Sequence, residues 1–598
     1  MDDQNKNLIL ATVLSLAVIL VWFVLFPPPE PEPRLDQPVT ADTQLAPDAP
    51  AVVPGSARGE AAPADAAAAQ ADDTPRIDID TPRLVGSLAL RGGRLDDLRL
   101  KDYRETLEED ADIVTVLSPV GSADAFYALY GWAPGGGLTP EDVPGPNTLW
   151  QAEAGATLTP DTPVTLTWDS PAGLTFTREM AVDADFMFTV TQSVTNTSGA
   201  AVTIAPYGVL ARHGQPDDLR NFFILHEGGI AMVDGELTET NYDDFEAAGA
   251  AETVPVTQNG WIGFTDHYWM TTLVGGPNQP FAARTFQDVS REIYQTNAQM
   301  PTQNVAPGAT ATVTTLLYSG AKEWETIREY QSEGIDKFID SIDWGWFFYL
   351  TKPIFWLLHE MNILIGNMGW AIIGLTFVIK LILLPLAFKS YVSMAKMKEL
   401  QPEMEALKEQ AGEDRQKLQQ GMMELYKKNK VNPAAGCLPI LLQIPIFFSL
   451  YKVIFVTIEL RHAPFFGPFQ DLSMPDPTSL INLFGLLPNA PPDPTSITAL
   501  IFIGILPILL GISMWLQQKL NPAPTDPTQQ MIFAWMPWVF MFMLGGFASG
   551  LVVYWIANNV ITFTQQYLIM RSQGYTPDLL GNIKGSFKKK PAAQETKK

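Results

Sequence analysis

The sequence predicts a polytopic α-helical membrane protein with six transmembrane helices and a large periplasmic β-sandwich domain. Three observations carry that reading. Charge is divided along the chain: residues 27–345 hold 17 Lys or Arg against 48 Asp or Glu, whereas residues 346–598 hold 21 against 15. Long apolar runs gather at the N-terminus and after residue 366, while period-two alternation fills the stretch between them. An acidic, water-soluble module joined to an apolar, mildly basic one therefore underlies the net charge of −26 and the mean hydropathy of +0.05.

Residues 8–26 (LILATVLSLAVILVWFVLF) form an uncharged run long enough to cross roughly 30 Å of hydrocarbon as a helix. The run ends in Phe26 and three prolines rather than at a small-residue cleavage site, so residues 1–26 are an uncleaved signal anchor. Residues 27–75 contain 11 prolines among alanines and acids and form a flexible linker. From 76 to 320 the alternation Val164, Leu166, Trp168, then Leu174, Phe176, then Phe186, Phe188, Val190, broken by Asn, Gly, Pro and Asp clusters, predicts the β-sandwich. Residues 321–365 turn helical. Their aromatic stretch WGWFFYLTKPIFWLLHEMN suits an amphipathic helix at the membrane interface better than a span, because it carries Lys352, His359 and Glu360.

Five further spans are predicted at about 367–388, 436–458, 497–516, 530–544 and 548–569, within a core at 366–570. Loop charge sets their orientation. Residues 389–435 hold nine Lys or Arg and residues 570–598 hold seven, including Lys588, Lys589 and Lys590, whereas 459–496 hold only Arg461. The positive-inside rule then places both termini in the cytoplasm and the acidic module in the periplasm. Residues 571–598 are read as a basic cytoplasmic tail.

Several chemistries are excluded or disfavoured. The single cysteine, Cys437, allows no internal disulfide, and the five histidines, His213, His226, His267, His359 and His462, show no zinc-site spacing. No Walker A loop, HExxH, GxSxG or dinucleotide fingerprint occurs, so no cofactor, metal or covalent catalysis is expected. An acidic domain repels nucleic-acid phosphates, and sequence-specific nucleic-acid binding is not expected.

Lys380 is the residue that stands out. It lies midway along an apolar span, where a charge costs about 2.5 to 3.5 kcal/mol. Snorkelling would have to reach far, and no Asp or Glu lies within another predicted span to pair with it. A water-filled cavity is the better explanation. Thr376, one turn earlier, and Gln443, Ser449, Asn558, Asn559 and Thr562 in other spans are each ordinary helix-to-helix hydrogen-bonding groups, but together with a lone cation they suggest a hydrated groove. Pro385, Pro439, Pro445 and Pro537 would kink or loosen its walls. Between the second and third spans, residues 389–432 read as a charged helical hairpin broken near Ala411-Gly412. Met394, Met397, Leu400, Met404 and Leu407 form a narrow apolar stripe on it, suited to self-packing and also to transient contact with varied apolar segments.

The stretches SMAKMKELQPEMEAL, YKKNKVNPAAGCLPILLQIPIFFSLY, ELRHAPF, DPTQQ and SGLVVYW closely resemble the YidC/Oxa/Alb insertase family, in the Gram-negative form that carries a periplasmic domain. The resemblance implies a five-helix insertase core around a hydrophilic groove open to cytoplasm and lipid, inserting and helping to fold inner-membrane proteins alone or with the Sec translocon. It places the groove cation on Lys380, where arginine is more usual; lysine keeps the charge and loses the bidentate fork. It places substrate contacts on Thr376, Tyr554 and Trp555, the last replacing a more usual tyrosine. It also implies that the hairpin receives incoming chains and, with the basic tail, meets the ribosome. Two other readings remain open on the residues alone: a secondary transporter using Lys380, although no inverted repeat is visible, and a periplasmic scaffold merely anchored by helices.

Overall fold

A computed structural model describes residues 74–575 apart from 217–218, 220–224, 277, 413, 430, 432–437, 488–502 and 522–526. The predicted signal anchor, the linker save its last two residues, Cys437 and the tail beyond residue 575 lie outside the described residues.

Among the described residues the β region forms an 11-stranded and an eight-stranded sheet, antiparallel except for one short parallel edge pair. Val202–His213 runs through the first sheet between Phe126–Gly135 and Ile293–Gln299. Thr310–Ala321 holds the corresponding place in the second, between Trp269–Val274 and Met187–Asn196. The predicted alternation is what builds the sandwich. Val164, Leu166, Leu174, Phe176, Phe186, Phe188 and Val190 are all buried, and with Trp132 and Trp150 they fill the space between the sheets. On the opposite face of the same strands, Thr191, Ser193 and Thr195 pair with Thr314, Thr312 and Thr310 at 2.9–3.0 Å, a hydroxyl ladder that faces water.

Helix α1 (Trp324–Ser332) closes the sandwich. Its Tyr330 hydroxyl donates to Asp183 at 2.7 Å and accepts from the Phe186 backbone N–H at 3.1 Å. Helix α2 (Phe348–Ile365) is the predicted interfacial helix, with Ile354, Phe355 and Leu358 buried and Phe348, Tyr349, Trp356 and Leu364 exposed. Gly366, at φ 72°, ends it, and the Asn367 side chain then accepts from the Trp370 N–H to start α3 (Met368–Ile382). Gly369 lets the Phe465 ring lie directly on the first turn of α3, where any Cβ would overlap it.

The span expected at 367–388 is not one helix. The chain bends by 70° at Leu383 between α3 and α4 (Leu384–Glu399). Pro385 explains the break: it has no N–H to give the Leu381 carbonyl and its ring clashes there, so the helix must restart. Beyond it, α5 (Gln401–Ala411) and α6 (Arg415–Lys428) form the expected hairpin, turned at Gly412 with φ 56°. Helices α7 (Leu438–Val456), α8 (Ile505–Gln518), α9 (Pro527–Met543) and α10 (Ser549–Ser572) complete the bundle, with Pro445 inside α7 and Pro537 inside α9. The central member is α10, which packs on α3, α4, α7 and α8.

Among the described residues no single helix is both long and apolar enough to cross a membrane; only the bent pair α3–α4 passes on length and composition. Helix α10 has the length, 24 residues, but carries Asn558, Asn559, Thr562, Gln565 and Gln566. The polar groups that lower its hydropathy build the site described next.

Candidate functional site

A cavity of about 410 Å³ opens among α3, α4, α7, α9 and α10. Spacing on α10 creates its polar wall. Tyr554, Asn558, Thr562 and Gln566 recur every four residues, and all four line the cavity from one helix face. Opposite them, α7 contributes Gln443, Ile444, Phe447 and Phe448, and α4 contributes Tyr391 and Met394. Trp555 sits 4.7 Å from Phe447 and 5.8 Å from Phe540 of α9, ring centre to ring centre, making an aromatic rim.

Lys380 of α3 reaches into this space. Its Nζ donates to Gln443 Oε1 at 3.0 Å, and Gln443 Nε2 donates to the Tyr554 hydroxyl at 2.6 Å. Three helices are thereby joined through one cation. Among the described residues no carboxylate stands within ion-pair distance of Lys380. Asn558 Oδ1 and Thr562 Oγ1 are buried without a hydrogen-bond partner. Buried acceptors and hydroxyls of this kind need water or a polar guest, so the cavity is suited to holding polar groups inside an apolar bundle.

Not every expected groove residue lines this cavity. Thr376 is buried and returns its hydroxyl to the Ile372 carbonyl at 2.7 Å, inside its own helix. Asn559 points the other way along α10 and donates to Ser513 Oγ of α8 at 3.0 Å. Ser449 is buried and lies outside the lining. Conversely, Tyr391, Gln517, Asn521 and Gln566 line the cavity without having been singled out. The four-residue polar spacing on α10 was the sequence signal for Gln566, which donates to Asn521 at 3.1 Å.

The methionine stripe divides between two places. Met394 lines the cavity and packs with Tyr391 and Ile569. Leu400, with Met397, Met404 and Leu407 beside it, packs against Leu425 and Tyr426 in the seam of the hairpin. Lys398, where burial lowers the side chain to about 8, donates to the Lys519 carbonyl at 3.3 Å and holds the hairpin stem against the end of α8.

A second lysine, Lys452 on α7, escaped notice in the sequence. It pairs with Asp343 in the segment between α1 and α2.

Comparison with known proteins now decides the family. Residues 76–357 match a family model described as the YidC periplasmic domain, and residues 360–575 match one described as 60Kd inner membrane protein. A membrane protein insertase YidC of Roseobacter denitrificans is 68% identical over 99% of both chains, and one of Ruegeria pomeroyi is 65% identical over the full length of both. The chain belongs to the YidC/Oxa/Alb family of membrane insertases. Its β-sandwich is the YidC periplasmic domain, and its helical region is the insertase region that follows that domain. A crystal structure of an active YidC insertase with its first transmembrane domain resolved is 17% identical over 83% of this chain and 94% of that one, with a TM-score of 0.33.

Proposed function

We propose that this insertase moves membrane proteins into the inner membrane by admitting the polar flank of an incoming segment to the cavity around Lys380. The observation that carries the reading is a cation without a carboxylate partner among the described residues, in a cavity whose walls also hold unsatisfied polar atoms. A translocating polar segment loses its water in hydrocarbon, and a cavity lined by Lys380, Gln443, Tyr554, Asn558 and Thr562 lowers that cost. Helices α7 and α9 stand on either side of Trp555 and turn Leu441, Ile444, Phe448, Trp535 and Val539 outward. An apolar segment leaves sideways between them, driven by burial worth about 25 cal/mol per Å².

In this reading the chain has six spans with both termini cytoplasmic, and of the substrate-contacting positions the family resemblance implies, Tyr554 and Trp555 line the cavity, whereas Thr376 supports it from within α3. The hairpin of α5 and α6 receives nascent chains through Met397, Leu400, Met404 and Leu407 when its seam opens. The Sec translocon and the ribosome are its larger partners, the latter through the hairpin and the basic tail.

Complementation of cells depleted of their own insertase tests the proposal. Lys380→Arg is expected to restore insertion of small one- and two-span proteins, and Lys380→Ala to fail for those with charged flanks. Equal rescue of every substrate by Lys380→Ala would overturn it. Photocrosslinking from positions 380 and 554 to a stalled nascent chain reads the same contact directly.

A further inference from the structure

A second, larger crevice of about 720 Å³ lies where the β-sandwich meets the helices, and the insertion mechanism makes no use of it. One wall is the edge strand Glu236–Asn241, the other is formed by the start of α2 and the end of α7, and the loop before α2 makes the floor. The volume falls in the usual range for small-molecule sites, about 300–1,000 Å³.

Its rim has the character of a lipid headgroup region. Trp346 is 92% exposed, and Phe348 and Tyr349 are more than half exposed beside it; aromatic side chains of this kind favour the boundary between headgroups and hydrocarbon. From the crevice an apolar track descends α7 over Phe448, Ile444 and Leu441, which are exposed at helical spacing. A soluble ligand has no use for such a track, whereas an acyl chain does.

The charges inside the crevice define the headgroup. Asp343 is paired with Lys452, and Asp340 with Lys352 at 2.6 Å. Glu239 is the exception: it stands open to solvent at the crevice mouth with neither a hydrogen bond nor an ion pair among the described residues, and partial desolvation there, with Asp343 nearby, raises its carboxyl above the usual carboxylate range against the pull of Lys452. Lys337, also in the lining, gives one hydrogen to the Gly235 carbonyl at 2.6 Å beside the edge strand and has two left.

From this arrangement we infer that the crevice binds a phospholipid with a primary-ammonium headgroup, its ammonium on Glu239 among the aromatic rings, its phosphate toward Lys337 and Lys352, and its acyl chain along α7. An ammonium with three hydrogens satisfies a carboxylate that a quaternary headgroup can only approach, and an anionic headgroup without an amine leaves Glu239 uncompensated. The headgroup end of this crevice shares only Phe448 with the Lys380 cavity, and the acyl track continues down the same α7 face that flanks the proposed lateral exit.

Native mass spectrometry of the full chain released from nanodiscs tests it, with phosphatidylethanolamine, phosphatidylcholine and phosphatidylglycerol as the three probes. The native chain should retain phosphatidylethanolamine over the other two. Glu239→Gln should reduce that preference about tenfold, the equivalent of one charge-assisted hydrogen bond, and Glu239→Asp should retain part of it. Equal retention of the three lipids, a preference for phosphatidylglycerol, or an unchanged preference in Glu239→Gln would each overturn the inference. Because Glu239 is exposed on an edge strand, the Gln variant is expected to fold. As a second measurement, a photoreactive residue replacing Trp346 should capture lipid when no substrate is being translocated; capture of a translocating polypeptide alone would assign the crevice to protein instead.

Discussion

Gln443 is the acceptor that allows an ammonium group to stand in an apolar bundle, because its amide takes the Lys380 hydrogen and passes its own to Tyr554. Gln443→Met removes both bonds and leaves the cation without its protein acceptor, so unfolding of the full chain in detergent should become easier by about 1–3 kcal/mol. Tyr554→Phe, which keeps the Lys380 bond, should cost less. A smaller loss for Gln443→Met than for Tyr554→Phe would show that the cation draws its stabilisation from elsewhere. Lys380 was legible in the sequence because everything around it is apolar. Arg178 is the opposite case. It occupies an inward position of Leu174–Val182, fully buried, and its guanidinium donates to the Gly93 and Tyr130 carbonyls at 2.9 and 2.5 Å and lies over Trp150. Burial lowers it to about 10. Alternation marked the strand but not this residue, since its partners are backbone carbonyls from distant turns that no local pattern reveals. Arg178 is fully buried and Lys380 partly so, and Lys380 lines the cavity.

Elements were legible where one local rule decided them. Alternation predicted the strands and Gly412 the hairpin turn, and the aromatic stretch after Trp344 predicted a helix where α2 lies. The 70° bend after α3 was not legible to a reading by apolar length, because LPLAF is as apolar as a span; Pro385 was the signal, and it breaks the helix outright rather than kinking it. Between elements, the least legible feature is His359. Its Nδ1 lies 2.7 Å from Glu459, in the turn after α7, and its Nε2 lies 3.1 Å from Glu325 of α1, so one ring joins three elements. Burial opposes the charged ring, but the Glu459 and Glu325 carboxylates prevail and hold it above its ordinary value. A raised value means that the clasp contributes fully below about pH 6.5, the ordinary histidine value, and is lost as pH rises through the folded one. At the acid end it weakens again, because burial raises Glu459 and favours its protonation despite the His359 charge. His359→Gln should therefore lower the melting temperature of the full chain at pH 6, with the gap to the native chain closing by pH 9. A gap that stayed constant across that range would show the ring to be neutral.

At the scale of the whole molecule, the sandwich and the bundle are joined by charge as well as by packing. His267 of the sandwich bonds the Phe455 carbonyl of α7 at 2.6 Å. Lys452 of α7 pairs with Asp343, which also accepts from the His226 N–H at 3.1 Å. Searching the spans for a carboxylate could not find this pair, because Asp343 lies outside them, in the segment that links the two modules. Lys452 and Lys380 thus differ in a way that can be measured. Lys452→Met strands a largely buried carboxylate and should cost about 3–5 kcal/mol, while Lys452→Met combined with Asp343→Asn should recover most of that loss and keep an acceptor for His226. Lys380→Met removes a desolvated charge that has no carboxylate partner, so the melting temperature of the chain should hold steady or rise while insertion of substrates with charged flanks fails. Stability and activity would then separate between two lysines of one bundle: Lys452 holds the modules together, and Lys380 serves the cavity. A Lys380→Met chain that melted as low as Lys452→Met would place Lys380 among the structural residues and return the function of the cavity to its neutral polar walls.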